Sequence, residues 1–158
     1  MRKAVFAGTF DPVTLGHESV IEKSSKLFDE VTVAICINAE KVTKFPLDIR
    51  LEMLNAVCKK YKNVKVVYHD GMLVDYMKEN GIVYTVRGVR NGADYEYEHK
   101  MHDFNFSLYP EIVTLYIPCN NDLKVVSSTA VRKALDNKEE LKGLLSKEVI
   151  EIIEKNNK

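Results

Sequence analysis

The run Val31-Thr-Val-Ala-Ile-Cys-Ile37 restricts the fold more than any other stretch of the chain. It is apolar and rich in β-branched residues, and it lacks the alternation of a half-solvated strand. A strand of this kind is covered on both faces, as in a parallel sheet sandwiched by helices. Similar short runs recur at Ala4 to Ala7, Val64 to Tyr68, Ile82 to Val86 and Ile112 to Ile117. Helical patterns separate them. His17 to Asp29 places Val20, Ile21, Leu27 and Phe28 on one face, and Pro46 opens a second helix with Leu47, Leu51, Leu54 and Cys58 at helical spacing. Met72 to Lys78 is stopped by Asn80-Gly81, and a charged, aromatic helix spans Ala93 to Leu108. The tail from Ser127 reads as helical throughout, with Leu144, Leu145, Val149, Ile150 and Ile153 as its apolar stripe. Repeated strand–helix units imply parallel strands joined by right-handed crossovers. The expected class is therefore α/β: one domain over residues 1–158, a Rossmann-like open parallel sheet with helices on both faces. In such sheets ligands bind beyond the carboxyl ends of the strands. The loops after residues 7, 37, 86 and 117 are the places to search.

Composition narrows the partners. The 23 Lys and Arg balance 23 Asp and Glu, for a formal net charge of zero. That argues against nucleic-acid binding and against a polybasic membrane face, though not against a small cationic pocket. The three cysteines Cys36, Cys58 and Cys119 are widely spaced, with no CxxC and no Cys/His cluster, and Cys36 reads as a buried thiol. No secretory signal pattern and no apolar run of membrane-spanning length is visible, so a reducing cytoplasm is the expected compartment.

The first candidate loop reads Gly8-Thr-Phe-Asp-Pro-Val-Thr-Leu-Gly-His17. Gly8 would let the backbone turn off the strand, and Gly16 would admit a close neighbour. His17 falls at a helix start, where free N–H groups and the positive dipole end suit a phosphate; a helix-flanking cap is the plain alternative. Neither GxGxxG nor GxxxxGK[ST] is present. The middle loop carries Arg87-Gly-Val-Arg90, two guanidiniums around a glycine that form either a planar clamp for phosphate or nucleobase or a solvated pair. The last loop leads to Ser127-Ser-Thr129 with Arg132 beyond, hydroxyls that either cap a helix or hold phosphate at its start. His99 and His102, three apart, read as surface or interface histidines rather than a metal pair. The acidic run Asp94, Glu96, Glu98 reads as a solvated helix start.

Thr14-Leu-Gly-His17 resembles the (H/T)xGH signature of the nucleotidyltransferase superfamily, and Val126-Ser-Ser-Thr-Ala-Val-Arg132 resembles its ISSTxxR motif. Arg87-Gly-Val-Arg-Asn-Gly-Ala-Asp-Tyr-Glu-Tyr-Glu98 is similar to the RGLRxxxDFEYE block of the phosphopantetheine adenylyltransferase family, and the likeness covers nearly the whole chain. It implies reversible transfer of an adenylyl group from ATP to 4′-phosphopantetheine, giving dephospho-coenzyme A and pyrophosphate. By the same resemblance, His17, Lys41 and Arg90 act in catalysis. Thr9, Lys41, Met72, Leu73, Arg87 and Asn105 hold the acceptor, with Cys36 near them. Thr9, Phe10, His17, Gly88, Arg90, Glu98, Ser127, Ser128 and Thr129 hold ATP. Mg²⁺ is expected mainly on the ATP phosphates with few or no protein ligands, and a homohexamer, a pair of trimers, is implied. The sequence departs from the family at Ala7, where proline is common, at His99 to Asn105, where only Asn105 transfers, and at Leu123, where an aromatic is frequent. The rivals are a nucleotidyltransferase for nicotinamide mononucleotide or a polyol phosphate, and a non-catalytic nucleotide-binding module.

Overall fold

The computed structural model describes residues 1–36 and 41–157. Five strands, β1 (Lys3–Gly8), β2 (Glu30–Cys36), β3 (Val64–His69), β4 (Tyr84–Val89) and β5 (Val113–Pro118), form one sheet in the order β3-β2-β1-β4-β5. Every neighbouring pair is parallel. The helices are α1 (Leu15–Leu27), α2 (Leu47–Cys58), α3 (Leu73–Glu79), α4 (Gly92–Leu108), α5 (Ser128–Asp136) and α6 (Lys147–Asn156). The expected α/β class and open parallel sheet are what the chain adopts.

Alternation along each strand divides the interior. Phe6, Val31, Val33, Ile35 and Val86 face the larger core, which Val20 and Ile21 of α1, Leu54 of α2, Val131 of α5 and Ile153 of α6 close. Val5, Ala7 and Ala34 face the other side, against Met77 of α3, Ile82 and Ile112. Helix α4 buries none of its residues.

Two expectations need correction. The tail is not helical throughout: residues 137–146 leave the helical path between α5 and α6. Gly143 there takes a φ of +85°, a left-handed conformation that glycine adopts without strain. Tertiary pairing holds the segment, since the Leu15 N–H donates to the Leu144 carbonyl at 3.0 Å. The fourth strand is also displaced. It starts at Tyr84 and runs through Val89, because its ladder with β5 continues to the pair Val89–Pro118. Arg87 and Gly88 therefore belong to the strand end and not to a loop.

Sheet order reverses about β1, whose neighbours are β2 and β4. Strand β1 pairs with β2 along its whole length, but with β4 only at Ala4–Tyr84 and Val5–Thr85. The two strands thus part toward their carboxyl ends, and the crevice expected at a topological switch point opens between Gly8 and Gly88.

Candidate active site

Two cavities flank that crevice. The first, about 570 Å³, lies among the β1–α1 loop, the end of β4 and the start of α5. The second, about 520 Å³, lies between the β3–α3 loop and α4. Ala7, Gly8, Thr9, Lys41, Arg87 and Glu98 line both and form their common wall, its polar side chains being those of the last four. Of the residues singled out from sequence, Phe10, His17, Gly88, Arg90 and Ser127 to Thr129 line the first cavity. Met72, Leu73 and Asn105 line the second, as does Cys36. Cys36 is half-buried at its strand end rather than fully buried, and burial, opposed by Arg87, still pushes its thiol above the usual value. Lys41 is described and exposed, whereas Asn38 to Glu40 and Ile37 lie outside the described residues.

His17 turns out to be both cap and cavity group. It is the third residue of α1, and Thr14, the N-cap, closes a capping box with it. The Thr14 N–H donates to His17 Nδ1 at 3.0 Å. An Nδ1 that accepts must be unprotonated, so in the neutral ring the proton sits on Nε2. Phe10 and Phe6 hold the ring, with centroids 4.9 and 6.1 Å away. Burial first, then the charges of Arg87 and Arg90, lower the His17 pKa to about 4. At neutral pH the side chain is an uncharged donor, fixed in orientation.

The two arginines are clamped, not solvated. Arg87 forms a fork with Glu98, Nε to Oε2 at 2.7 Å and Nη2 to Oε1 at 2.9 Å, and its Nη1 donates to the Ala7 carbonyl across the parted strands. Arg90 forms a second fork with Asp94, Nε to Oδ2 at 2.8 Å and Nη2 to Oδ1 at 3.2 Å. Burial alone would raise the Asp94 carboxyl, but the side-chain and backbone hydrogen bonds from Arg90 outweigh it and hold it below its ordinary value. Asp94 and Glu98 are thus orienting partners, in place of the solvated helix start expected for that run. Bidentate pairs of this kind fix the guanidinium plane as well as its charge.

At α5 only Ser127 caps the helix, while the Ser128 and Thr129 hydroxyls are engaged elsewhere. Ser127 Oγ accepts the Ala130 N–H at 3.0 Å, Ser128 Oγ donates to the Pro12 carbonyl at 2.8 Å, and Thr129 Oγ1 accepts from Arg132 Nη2 at 3.1 Å. The Ser128 and Thr129 amides have no intrahelical acceptor, and they are the groups α5 offers to an anion.

The glycine readings shift as well. The left-handed residue of the first loop is Phe10, with φ of +49°, and not Gly8. At Gly8 an added Cβ would lie 3.2 Å from the Phe10 ring, a tight contact that the ring would have to shift to accept. At Gly88 a Cβ would come within 2.8 Å of Val20 Cγ2, so α1 rides directly on that strand end.

Three buried charges escaped the sequence reading: Asp11, Glu18 and Arg50. Asp11 is 4% exposed and Arg50 6% exposed. Arg50 Nη1 donates to the Thr9 carbonyl at 2.9 Å. Nothing in the residue pattern marks Arg50, since its acceptor lies 41 residues away.

Residues 5–134 match the family model of cytidylyltransferase-like proteins. A solved structure from Vibrio parahaemolyticus, assigned as a nicotinate-nucleotide adenylyltransferase, aligns with a TM-score of 0.72 at 21% identity, covering 98% of this chain and 93% of that one. At that identity the likeness is one of fold. Fold, crevice and loop motifs together define a cytidylyltransferase-like nucleotidyltransferase. Among curated relatives, phosphopantetheine adenylyltransferase of Streptococcus agalactiae serotype Ia is 39% identical over 155 residues, 98% of this chain and 96% of that protein. The enzyme of the same name from Clostridium botulinum strain Hall is 38% identical, over 98% of this chain and 94% of its own length. The chain belongs to the phosphopantetheine adenylyltransferase family.

Proposed function

We propose that this protein transfers the adenylyl group of ATP to 4′-phosphopantetheine, reversibly, releasing pyrophosphate and forming dephospho-coenzyme A. One observation carries the reading beyond family membership: a cationic, hydrogen-bond-donating cavity and a more apolar one share the wall of Thr9, Lys41, Arg87 and Glu98. A triphosphate in the first and an acceptor phosphate at the wall would meet at that boundary.

The nucleophile is the acceptor's own phosphate oxygen, already ionised at neutral pH, so no side-chain nucleophile is needed. It attacks the α-phosphorus in line; the bond to the bridging oxygen breaks, and pyrophosphate leaves with the electron pair. The chain supplies position and charge. His17 Nε2–H donates to an α-phosphate oxygen as negative charge redistributes. Arg90 and the Ser128 and Thr129 amides receive the β- and γ-phosphates. Arg87 and Thr9 orient the acceptor phosphate, and Lys41 bridges the two. Met72, Leu73 and Asn105 line the acceptor arm.

Mg²⁺ enters with the nucleotide and offsets charge on its phosphates. The cations and amide donors of the first cavity suit the nucleotide phosphates that would carry the ion. Among the described residues no group of three His, Cys, Asp or Glu gathers to hold a metal, and Glu98 and Asp94 are spent on arginines. The three free cysteines support a reducing, cytoplasmic setting. The exposed apolar side chains of α4, Phe106 and Tyr97 on opposite sides of it among them, support the homohexamer.

A pyrophosphate-release assay tests the reading, pairing ATP and CTP with 4′-phosphopantetheine, nicotinamide mononucleotide and a polyol phosphate. Turnover is expected for ATP with 4′-phosphopantetheine alone. Turnover on another pair, or ATP binding without pyrophosphate from any pair, overturns it.

A further inference from the structure

Asp11 sits in the β1–α1 loop with both carboxylate oxygens spent on one distant segment. Its Oδ1 accepts the Phe45 N–H at 2.9 Å and its Oδ2 the Lys44 N–H at 2.8 Å. Arg132 Nη1 donates to the Asp11 carbonyl at 2.8 Å and stands 3.7 Å from Oδ2. From the other side, Arg50 donates Nε to the Phe45 carbonyl at 3.0 Å, while its Nη1 holds Thr9. Lys44 Nζ pairs with Asp136 at the end of α5. Residues 44–45 are therefore clasped by two buried charges to the loop that carries Thr9 and leads into His17.

Burying a carboxylate and a guanidinium is costly, and hydrogen bonds of good geometry offset that cost only when the partners are held in place. Here the clasp lies three residues beyond Lys41, and Lys41, Val42 and Thr43 all line the first cavity. Phe45 is itself buried in the larger core with Phe10 and Val13, so packing seats its ring while Asp11 holds the two backbone amides.

We propose that Asp11 is a positioning residue for adenylyl transfer: by holding the Lys44 and Phe45 amides, it sets where Lys41 stands over the wall shared by the two cavities. The inference rests on the role proposed for Lys41 above. A carboxylate accepts two N–H groups at once, whereas an amide accepts at one atom and presents N–H at the other. Asp11→Asn must therefore release or repel one of the two amides, with little change in volume.

Kinetics of wild type, Asp11→Asn, Lys41→Ala and the double variant test this, with thermal unfolding as a control for folding. Lys41→Ala is expected to lower kcat on the order of 10²–10³-fold, as for a lost charge donor. Asp11→Asn should lower kcat about 10- to 100-fold, as a misplaced group does, with KM for ATP within about threefold of wild type. In the Lys41→Ala background Asp11→Asn should cost less than about threefold more, because the two act as one unit. Multiplicative losses in the folded double variant overturn the proposal. Should Asp11→Asn not fold, Asp11→Glu keeps both oxygens at a shifted reach, and the same non-additivity is required of it. A readout independent of turnover is acetylation of Lys41 by acetic anhydride, followed by mass spectrometry. MgATP should protect Lys41 in wild type and not in Asp11→Asn; equal protection in both overturns the proposal. A wild type that releases no pyrophosphate with 4′-phosphopantetheine defeats the proposed function instead, and the acetylation result then still judges Asp11.

Discussion

The two faces of the sheet are built on opposite plans. On one, α1, α2, α5 and α6 close over a continuous aliphatic core in which Ile21, Ile35, Leu54 and Ile153 are sealed from solvent. On the other, α3 closes a small core, while the inward positions of β4 and β5 carry Thr85, Arg87, Thr114 and Tyr116. The hydroxyls of Thr85 and Tyr116 are buried there without a partner, and α4 spans that side without burying a residue. Unpaired buried polar atoms occur on the first side as well, at Glu18 and Ser146, so the contrast lies in apolar packing and not in them. The well-packed face fixes where β1, β4 and the first turns of α1 and α5 end. The thinner face carries the second cavity, and its outer helix leaves apolar side chains exposed. Rigidity and specificity are thus divided between the two sides of five strands.

The largest expected effect breaks the first plan at its catalytic edge. His17→Ala removes the Nε2–H donor, while α1 keeps the Thr14 hydroxyl at its start and its buried residues Val20 and Ile21. We expect kcat to fall on the order of 10²–10³-fold, about 2.7–4 kcal/mol in the barrier. The melting temperature should move little by comparison. Near-normal turnover in a folded His17→Ala variant would remove His17 from the transition state and leave it a cap.

The sequence told these two faces apart unevenly. Strands β1 and β2 and helices α1 and α2 lie within two or three residues of their expected positions, because their apolar periodicity reports burial directly. The tail was misread since Leu144 and Leu145 continue an apolar pattern that Gly143 interrupts, and the pairing of Leu15 with Leu144 is invisible in a local window. Strand β4 was misplaced because Arg87-Gly88 looks like a loop until β5 pairs with it. For the site, residues inside motifs were legible because each motif occupies one strand-to-helix turn, and the topology gathers those turns. Asp11 was legible as part of a loop but not as a clasp. Arg50 looked like any solvated charge in the first turns of a helix, and its burial follows from carbonyls at Thr9 and Phe45. The orienting roles of Asp94 and Glu98 fall between. Spacings of four and eleven residues from their arginines are compatible with contact, yet only the turn between β4 and α4 makes it.

A smaller effect sharpens the second plan. Phe106 on α4 is 47% exposed, and a surface substitution at such a site ordinarily moves stability by no more than about 0.5 kcal/mol. If the α4 face is covered by another subunit in the homohexamer proposed above, Phe106→Ser removes apolar area worth up to about 1.5–3 kcal/mol per subunit. Light scattering should then show wild type as a large oligomer and Phe106→Ser shifted toward smaller species. The melting temperature of the variant should become concentration-dependent. A wild type that stays monomeric, or a variant that assembles unchanged, would return α4 to the status of a solvated helix.

The smallest effect is a flat line where a histidine would ordinarily give an inflection. His17 has its folded pKa lowered to about 4 from the ordinary imidazole value of 6.5, by burial and by the charges of Arg87 and Arg90. Between those two values the unfolded chain binds more protons than the folded one. Stability therefore rises with pH across that window, by at most about 1.4 kcal/mol per unit, is complete above about 6.5 and is lost as pH falls toward 4. From pH 6 to 8 His17 stays neutral, with Nδ1 accepting from Thr14 and Nε2 protonated. Its contribution to kcat should not change over that range, and ¹⁵N spectra of the ring should show one tautomer throughout, with protonation only well below pH 6. A ring that titrates near 6.5 would mean that solvent reaches it and that neither burial nor the clamped arginines sets its charge, and the transition-state donor would then be an imidazolium at the acid end of the range.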